Sequence, residues 1–280
     1  MKLNSFIVAL FASTGSVAFA EQVHTMPIGS ETYLQYADQA LREGRLTQAE
    51  QMINWLEQNA GVENLDDIAL LKAEFAVVRH DIAGASAALD SMADRSRNLC
   101  RQETARGWVN IFKGALDQAI LALVNAAENC PSDAGIWNML GVAFVAKGET
   151  VAGKEAFEHG LMLAPDNSEL LNNHALALLQ NGDLISAREQ LESAAKAFPA
   201  NRVITANHDY VSGMLGQAPV RAKRDSDTIW SERLVNTAKG AKVAERGQHA
   251  TALFSRALLL LDRFDSNVWA EIDKQTAIRR

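Results

Sequence analysis

Proline, cysteine and aromatic residues are all scarce in this sequence. Its 280 residues include 5 prolines and 2 cysteines, and aromatic residues make up 6% of the chain. Few prolines leave long stretches in which helices can form, and few aromatic residues mean that one of the main strand signals is weak. Alanine and leucine, which favour helix, dominate instead. We therefore expect an all-α protein.

An excess of basic residues is also missing. The chain has 27 Lys and Arg against 34 Asp and Glu, which gives a formal net charge of -7. Proteins that bind nucleic acid normally present a basic face to the phosphates. We therefore expect no nucleic-acid partner.

The signatures of common enzyme classes do not occur either. The sequence has no complete G-x-x-x-x-G-K-[ST] loop, because residues 148–154 match its first seven positions but Glu155 follows, and it has no dinucleotide-binding glycine pattern, no H-E-x-x-H and no G-x-S-x-G. We expect no catalytic residue, no cofactor, no metal site and no enzymatic activity. The alternative is an enzyme with helical repeats as an accessory, but residues 218–280 are then the only region left for catalysis, and they are few and helix-patterned.

The first residues resemble a secretory signal peptide. A basic start and an apolar stretch over 6–12 precede small residues that end in Ala18-Phe19-Ala20, an A-x-A cleavage pattern. We predict cleavage after Ala20. The alternative, an uncleaved anchor helix, needs a longer apolar stretch than this one, which polar residues interrupt at 13–16. No cysteine is placed for lipid attachment and no later segment is apolar enough to span a bilayer, so the sequence predicts a periplasmic or secreted protein.

A pattern of small and apolar residues recurs with a shift of 34 positions. The clearest copy, which starts at Ala134, consists of Trp137, Leu140, Gly141, Phe144, Gly148, Phe157, Gly160 and Pro165. The next copy consists of Leu171, Ala175, Leu178, Gly182, Ala187, Leu191, Ala194 and Pro199. Less regular copies start at Ser30, Asp66 and Cys100. After Pro199 a first helix can be recognised over 202–215, but Pro219 and a run of charges follow where its second helix is expected.

This pattern resembles the tetratricopeptide repeat, a pair of antiparallel helices about 34 residues long whose apolar stripes are buried only when several pairs stack. The resemblance implies a right-handed superhelical solenoid of such pairs. The predicted organisation is a cleavable signal peptide (1–20), an N-terminal linker (21–29), an array of about five repeats plus a following helix (30–217), an irregular linker (218–230), and a degenerate repeat with a capping helix (231–280).

The same resemblance implies a groove for a protein or peptide partner, because the first helices of such repeats line the concave face. Asparagine amides at the fifth and sixth repeat positions suit an extended peptide backbone, and apolar groups at the ninth position suit its side chains. The alternative is that these are ordinary residues of a helix surface. The predicted contact residues are Trp108, Asn138, Val142, Asn172, Asn173, Leu176, Asn207 and Tyr210.

The two cysteines occupy opposite ends of one predicted hairpin. Cys100 opens the first helix of a repeat and Cys130 follows the second, and antiparallel helices bring those ends together. An exported chain with an even number of cysteines favours a disulfide. A reactive thiol or a metal site is the alternative, but neither a C-x-x-C pair nor a histidine at ligand spacing is present. We predict a structural disulfide.

Repeats combined with export predict a scaffold for envelope proteins. The chain resembles the repeat component of the bacterial tight-adherence (Tad/Flp) pilus assembly system, which implies a role in building a pilus or secretion complex. Members of that group commonly carry a lipidated cysteine after the signal, whereas this sequence has Ala20-Glu21. A periplasmic chaperone or regulator of secreted subunits is the alternative.

Overall fold

The computed structural model describes residues 29–59, 61–92, 99–223, 225–260 and 265–277. The predicted signal peptide (1–20) and most of the predicted N-terminal linker lie outside these ranges. Within them the chain forms helices and no strands, and it is 80% helical. The predicted all-α fold is therefore confirmed.

The chain divides into two compact units, one ending at Ala164 and the other beginning at Pro165. The described residues of unit 1 form four helical hairpins, each with a first and a second helix joined by a short turn. A short 3-10 helix, Val62–Asn64, precedes the second hairpin. The helices of unit 1 are α1 (Ser30–Arg42), α2 (Leu46–Asn59), α3 (Leu65–Val78), α4 (Ile82–Asp90), α5 (Leu99–Lys113), α6 (Leu116–Asn129), α7 (Ala134–Lys147) and α8 (Thr150–Leu163).

Unit 2 begins with one further hairpin, continues with a first helix that has no second helix of its own, and ends with three more helices. Its helices are α9 (Ser168–Gln180), α10 (Leu184–Ala197), α11 (Arg202–Met214), α12 (Asp227–Val243), α13 (Gly247–Leu258) and α14 (Ser266–Ala277). Because α12 begins at Asp227, residues 227–230 are helical and not part of an irregular linker. The predicted domain boundaries otherwise stay predictions.

Asp or Asn side chains fix where the most regular first helices begin. Asp133, Asn167 and Asn201 each lie two residues after a repeat-ending proline, and each accepts a hydrogen bond from a backbone N–H of the first turn. Such N-caps satisfy donors that have no partner within the helix. The spacing from proline to cap therefore sets the register of α7, α9 and α11.

Each first helix, and also α12, is followed within two residues by a residue with a left-handed backbone. Glycine tolerates this conformation because it has no Cβ, but two of the positions hold other residues, His80 (φ 60°) and Glu245 (φ 58°). The same conformation at equivalent positions shows that the turn geometry repeats even where the sequence does not. The turn residues are Gly44, His80, Gly114, Gly148, Gly182, Gly216 and Glu245.

The repeating apolar residues form the core of each unit. Phe157 of α8 is 1% exposed and packs at Gly141 of α7, where a Cβ would overlap its ring. In unit 2, Leu191 of α10 is fully buried, in one cluster with Ala175 and Ile204. Within each unit, successive first helices also contact one another. The predicted principle, hairpins that bury their apolar stripes by stacking, therefore holds in both units.

Residues 215–226 connect α11 to α12, and the described ones, 215–223, 225 and 226, form no second helix. The start of α11 faces the start of α12, because Arg202 pairs with Glu232. The end of α11 faces the end of α12, because Nε of Arg246 donates to the carbonyl of Met214 at 3.0 Å. The two helices therefore run in the same direction. An extended chain spans up to about 3.3 Å per residue, against about 1.5 Å for a helix, so a connection over 215–226 has enough residues to return alongside the 13-residue α11.

Close contact between backbones joins α11 to α12. A Cβ on Gly213 would overlap the carbonyl oxygen of Thr237, and a Cβ on Gly240 would overlap that of Tyr210. Glycine is needed at both positions because main-chain atoms, not mobile side chains, lie opposite. α11 and α12 therefore pack directly against each other without an intervening second helix.

Candidate partner-binding site

Three of the predicted contact residues lie in unit 1 and contribute to its packing. Trp108 is half-buried, packs against two apolar clusters and stacks on Phe112 with ring centroids 5.2 Å apart. Asn138 is 6% exposed, and Val142 is half-buried beside the cluster that contains Leu140. In unit 1 the three predicted contact residues thus contribute to packing, and their role in binding a partner stays a prediction.

The other five predicted residues lie on α9 and α11 of unit 2, where hydrogen bonds join three of them. Nδ2 of Asn207 donates a hydrogen bond of 2.7 Å to Oδ1 of Asn172. Nδ2 of Asn172 in turn donates to Oδ1 of Asn173 at 3.4 Å. The three amides therefore form a row across the two first helices. We call the surface formed by Asn172, Asn173, Leu176, Asn207 and Tyr210 the amide face.

The first hydrogen bond of this row runs from the more exposed Asn207 to the buried Asn172. Asn172 is 4% exposed, so its hydrogen bonds keep a buried amide satisfied. Asn207 is only half-buried, and no described residue donates to its Oδ1, which leaves a hydrogen-bond acceptor at the surface. Fixed side-chain orientations reduce the entropy lost when a partner binds.

Tyr210 adds an aromatic group next to this row. Its side chain is half-buried and packs against the cluster that contains Ile204 and Val211. Burial raises the pKa of Tyr210, so its hydroxyl stays neutral and can donate a hydrogen bond. Leu176 on α9 is also half-buried. The amide face therefore combines polar and apolar groups, and its role as a binding surface stays a prediction.

Sequence reasoning missed an ionic cluster on the first helices of unit 1. Arg101 of α5 donates to Oε1 of Glu74 on α3 at 2.9 Å and to Oδ1 of Asp38 on α1 at 2.6 Å. Burial raises the pKa of Glu74, and the hydrogen bond and charge of Arg101 oppose that rise. We call Asp38, Glu74 and Arg101 the Arg101 cluster. Asp38 and Glu74 share the ninth repeat position, which is the one signal in the sequence that could have suggested it.

A second buried network lies beside α11 in unit 2. The guanidinium of Arg233 on α12 donates twice to the carboxylate of Asp209, at 2.9 Å each, and once to Asp225 at 3.1 Å. It also donates to the carbonyl of Val220 at 3.0 Å, so it fixes the segment 215–226 as well. Asp209, at 0% exposure, occupies the eighth repeat position, where the other copies carry a small residue. We call Asp209, Asp225 and Arg233 the Arg233 network.

The predicted disulfide is present. Cys100, at the start of α5, is bonded to Cys130, which follows α6, and their Cα atoms are 6.1 Å apart. None of the described helices is long and apolar enough to cross a bilayer. Within the described ranges, no group of histidine, cysteine and acidic side chains is arranged to hold a metal ion.

Hairpins with a repeated left-handed turn, glycine contacts between paired helices and stacked apolar stripes define the tetratricopeptide-repeat fold. Solved structures of that class support this assignment. TTC0263, described as a thermophilic TPR protein of Thermus thermophilus, is similar with 17% identity and a TM-score of 0.56, over 65% of this chain and 98% of that one. A tetratricopeptide repeat protein of Parabacteroides merdae is similar with 10% identity and a TM-score of 0.53, over 88% and 98%.

A third similar structure is pilF of Pseudomonas aeruginosa, with 17% identity and a TM-score of 0.54, over 89% of this chain and 97% of that one. No protein-family model and no curated protein matches the sequence. At these identities the similarity shows the fold alone.

Proposed function

We propose that this protein is an exported, non-enzymatic scaffold that binds a protein or peptide partner on the amide face of unit 2. The observation that carries the proposal is the hydrogen bond from Asn207 to Asn172, which joins two first helices into one polar row. A half-buried tyrosine beside it offers an apolar contact with a hydroxyl at its tip. An extended chain needs both kinds of group, since its backbone forms hydrogen bonds and its side chains need apolar contacts.

The partner, in this proposal, is a component of a cell-envelope complex such as a Tad-type pilus or secretion system. Support comes from the signal-peptide pattern that ends at Ala20, together with the repeat fold. Sequencing the N-terminus of the protein purified from its native envelope fraction tests the export step. We expect Glu21 as the first residue, and a protein that starts at Met1 would contradict it.

The binding step is tested by affinity capture from the native envelope, with bound proteins quantified by mass spectrometry. Asn207→Ala and Tyr210→Ala are each expected to weaken capture of the partner about tenfold, which corresponds to about 1.4 kcal/mol. Glu189→Ala is the matched control, because Glu189 is exposed on the second helix α10. Circular dichroism and thermal unfolding must first show that each variant is folded.

Two results would count against the proposal. Equal capture by all four proteins would place the partner elsewhere on the chain. Capture of many unfolded secreted subunits in place of one stoichiometric partner would favour the chaperone alternative.

A further inference from the structure

The Cys100–Cys130 disulfide lies next to the Arg101 cluster in both sequence and space. Cys100 and Arg101 are consecutive residues in the first turn of α5, which begins at Leu99. The backbone N–H groups of a first turn have no acceptor within their helix, so its order depends on contacts with other parts of the fold. Two such contacts are the disulfide to the end of α6 and the hydrogen bonds of Arg101 to α1 and α3.

The two carboxylates of the cluster depend on Arg101 to different degrees. Asp38 has a second partner, because Nε of Arg42 donates to its Oδ2 at 2.9 Å. Glu74 has Arg101 as its hydrogen-bond partner, and its own burial disfavours its charge. Displacement of Arg101 therefore changes the charge state of Glu74 more than that of Asp38.

We propose that the disulfide acts as a redox-operated latch. While it is intact, it holds the first turn of α5 so that Arg101 lies across Asp38 and Glu74. When it is reduced, the turn loosens and Arg101 leaves Glu74. The first-helix side of unit 1 then loses a positive charge beside its carboxylates. The inference is independent of the proposed partner site, which lies in unit 2.

The chemistry of the step is an exchange with a dithiol. One thiolate of the dithiol attacks a sulfur of the Cys100–Cys130 bond, forms a mixed disulfide and displaces the other cysteine as a thiolate. The second thiolate of the dithiol then releases the remaining cysteine and closes the reductant's own disulfide. Two electrons pass to the protein, whose two thiolates take up two protons. Both cysteines are partly exposed, so a reductant has access to the bond.

The readout is the titration of Glu74, followed by NMR of its side-chain carboxyl carbon and assigned with Glu74→Gln. Three samples are compared: oxidised protein, the same protein reduced with dithiothreitol, and oxidised Arg101→Gln. Loss of Arg101 removes the group that lowers the pKa of Glu74, so Arg101→Gln raises that pKa. We expect reduction to raise it in the same direction, and the amides of residues 103–105, which donate to the carbonyls of the first turn of α5, to exchange with deuterium at least about tenfold faster.

The corresponding amides of α7, those of residues 138–140, are the control, and Cys130→Ser repeats the reduced state without reductant. An unchanged titration of Glu74 on reduction would overturn the proposal. Loss of protection in α7 together with α5 would also overturn it, because the disulfide would then be a staple for the whole of unit 1 and not a local latch.

Discussion

Two repeats differ in the atoms that pack at their glycines. The complete repeat of α7 and α8 uses a side chain, and the incomplete repeat that contains α11 uses the main chain of the next helix. In the complete repeat, Gly141 makes room for the side chain of Phe157. At α11 the opposing element is α12, and Gly213 meets the main chain of Thr237. A buried ion network then takes the place that apolar side chains have in the complete repeat. A repeat can thus lose its second helix when glycine contacts and a paired charge replace it.

Removing the guanidinium of Arg233 is expected to have the largest effect, because it leaves the carboxylate of Asp209 buried without its main partner. Arg233→Met should lower the free energy of unfolding by about 3–5 kcal/mol. Arg202→Met is the matched control, since its pair with Glu232 is exposed and should cost less than about 1 kcal/mol. Denaturant unfolding measures both, and similar values for the two variants would show that the network does not replace the missing helix.

The glycine contact between α11 and α12 ranks next. Gly213→Ala should destabilise the protein by about 3 kcal/mol, because the new methyl group meets a carbonyl oxygen that cannot move without shifting a helix. Gly141→Ala should cost less, about 1–2 kcal/mol, since the ring of Phe157 can adjust and alanine favours helix. If denaturant titrations show a larger loss of unfolding free energy for Gly141→Ala than for Gly213→Ala, the proposed difference between the two repeats is wrong.

A smaller effect is expected from the turn residues. His80→Gly and Glu245→Gly each remove a left-handed non-glycine residue and should stabilise the protein by about 0.5–1 kcal/mol, because the relief of backbone strain exceeds the added entropy of the unfolded chain. Gly148→Ala, with φ of 92°, should destabilise by about 1–2 kcal/mol. Thermal unfolding gives the signs, and a loss of stability in both glycine variants would contradict the shared turn geometry.

Repeat residues in the sequence predicted most of the fold. The turn glycines and the buried Phe157 and Leu191 obey rules that act over a few residues and recur. The direct packing of α11 on α12 could not be predicted from the sequence. It depends on Gly213 and Gly240, which lie 27 positions apart in two helices and follow no repeat. Pro219 and the charges around it correctly indicated that a helix is missing but did not show what replaces it.

The candidate site was predictable only in part. Asn172 and Asn207 were singled out by register, and the structure joins them with a hydrogen bond. Register alone could not show that Asn138 is nearly buried or that Trp108 stacks on Phe112, because burial depends on neighbouring helices. The ionic partners Arg101 and Arg233 were missed for a related reason: long side chains reach carboxylates on other helices, and their spacing leaves no periodic signal.

The incomplete repeat carries part of the proposed binding surface, because Asn207 and Tyr210 lie on α11, which the Arg233 network holds against α12. Site-specific photo-crosslinking in the native cell tests the proposed binding surface most directly. A photoreactive phenylalanine analogue would be placed at position 210 on the amide face, at 142 in unit 1, and at 189 on the second helix α10. We predict a crosslink to one envelope protein from position 210 and none from 189. A crosslink from 189 or 142 without one from 210 would contradict binding at the amide face.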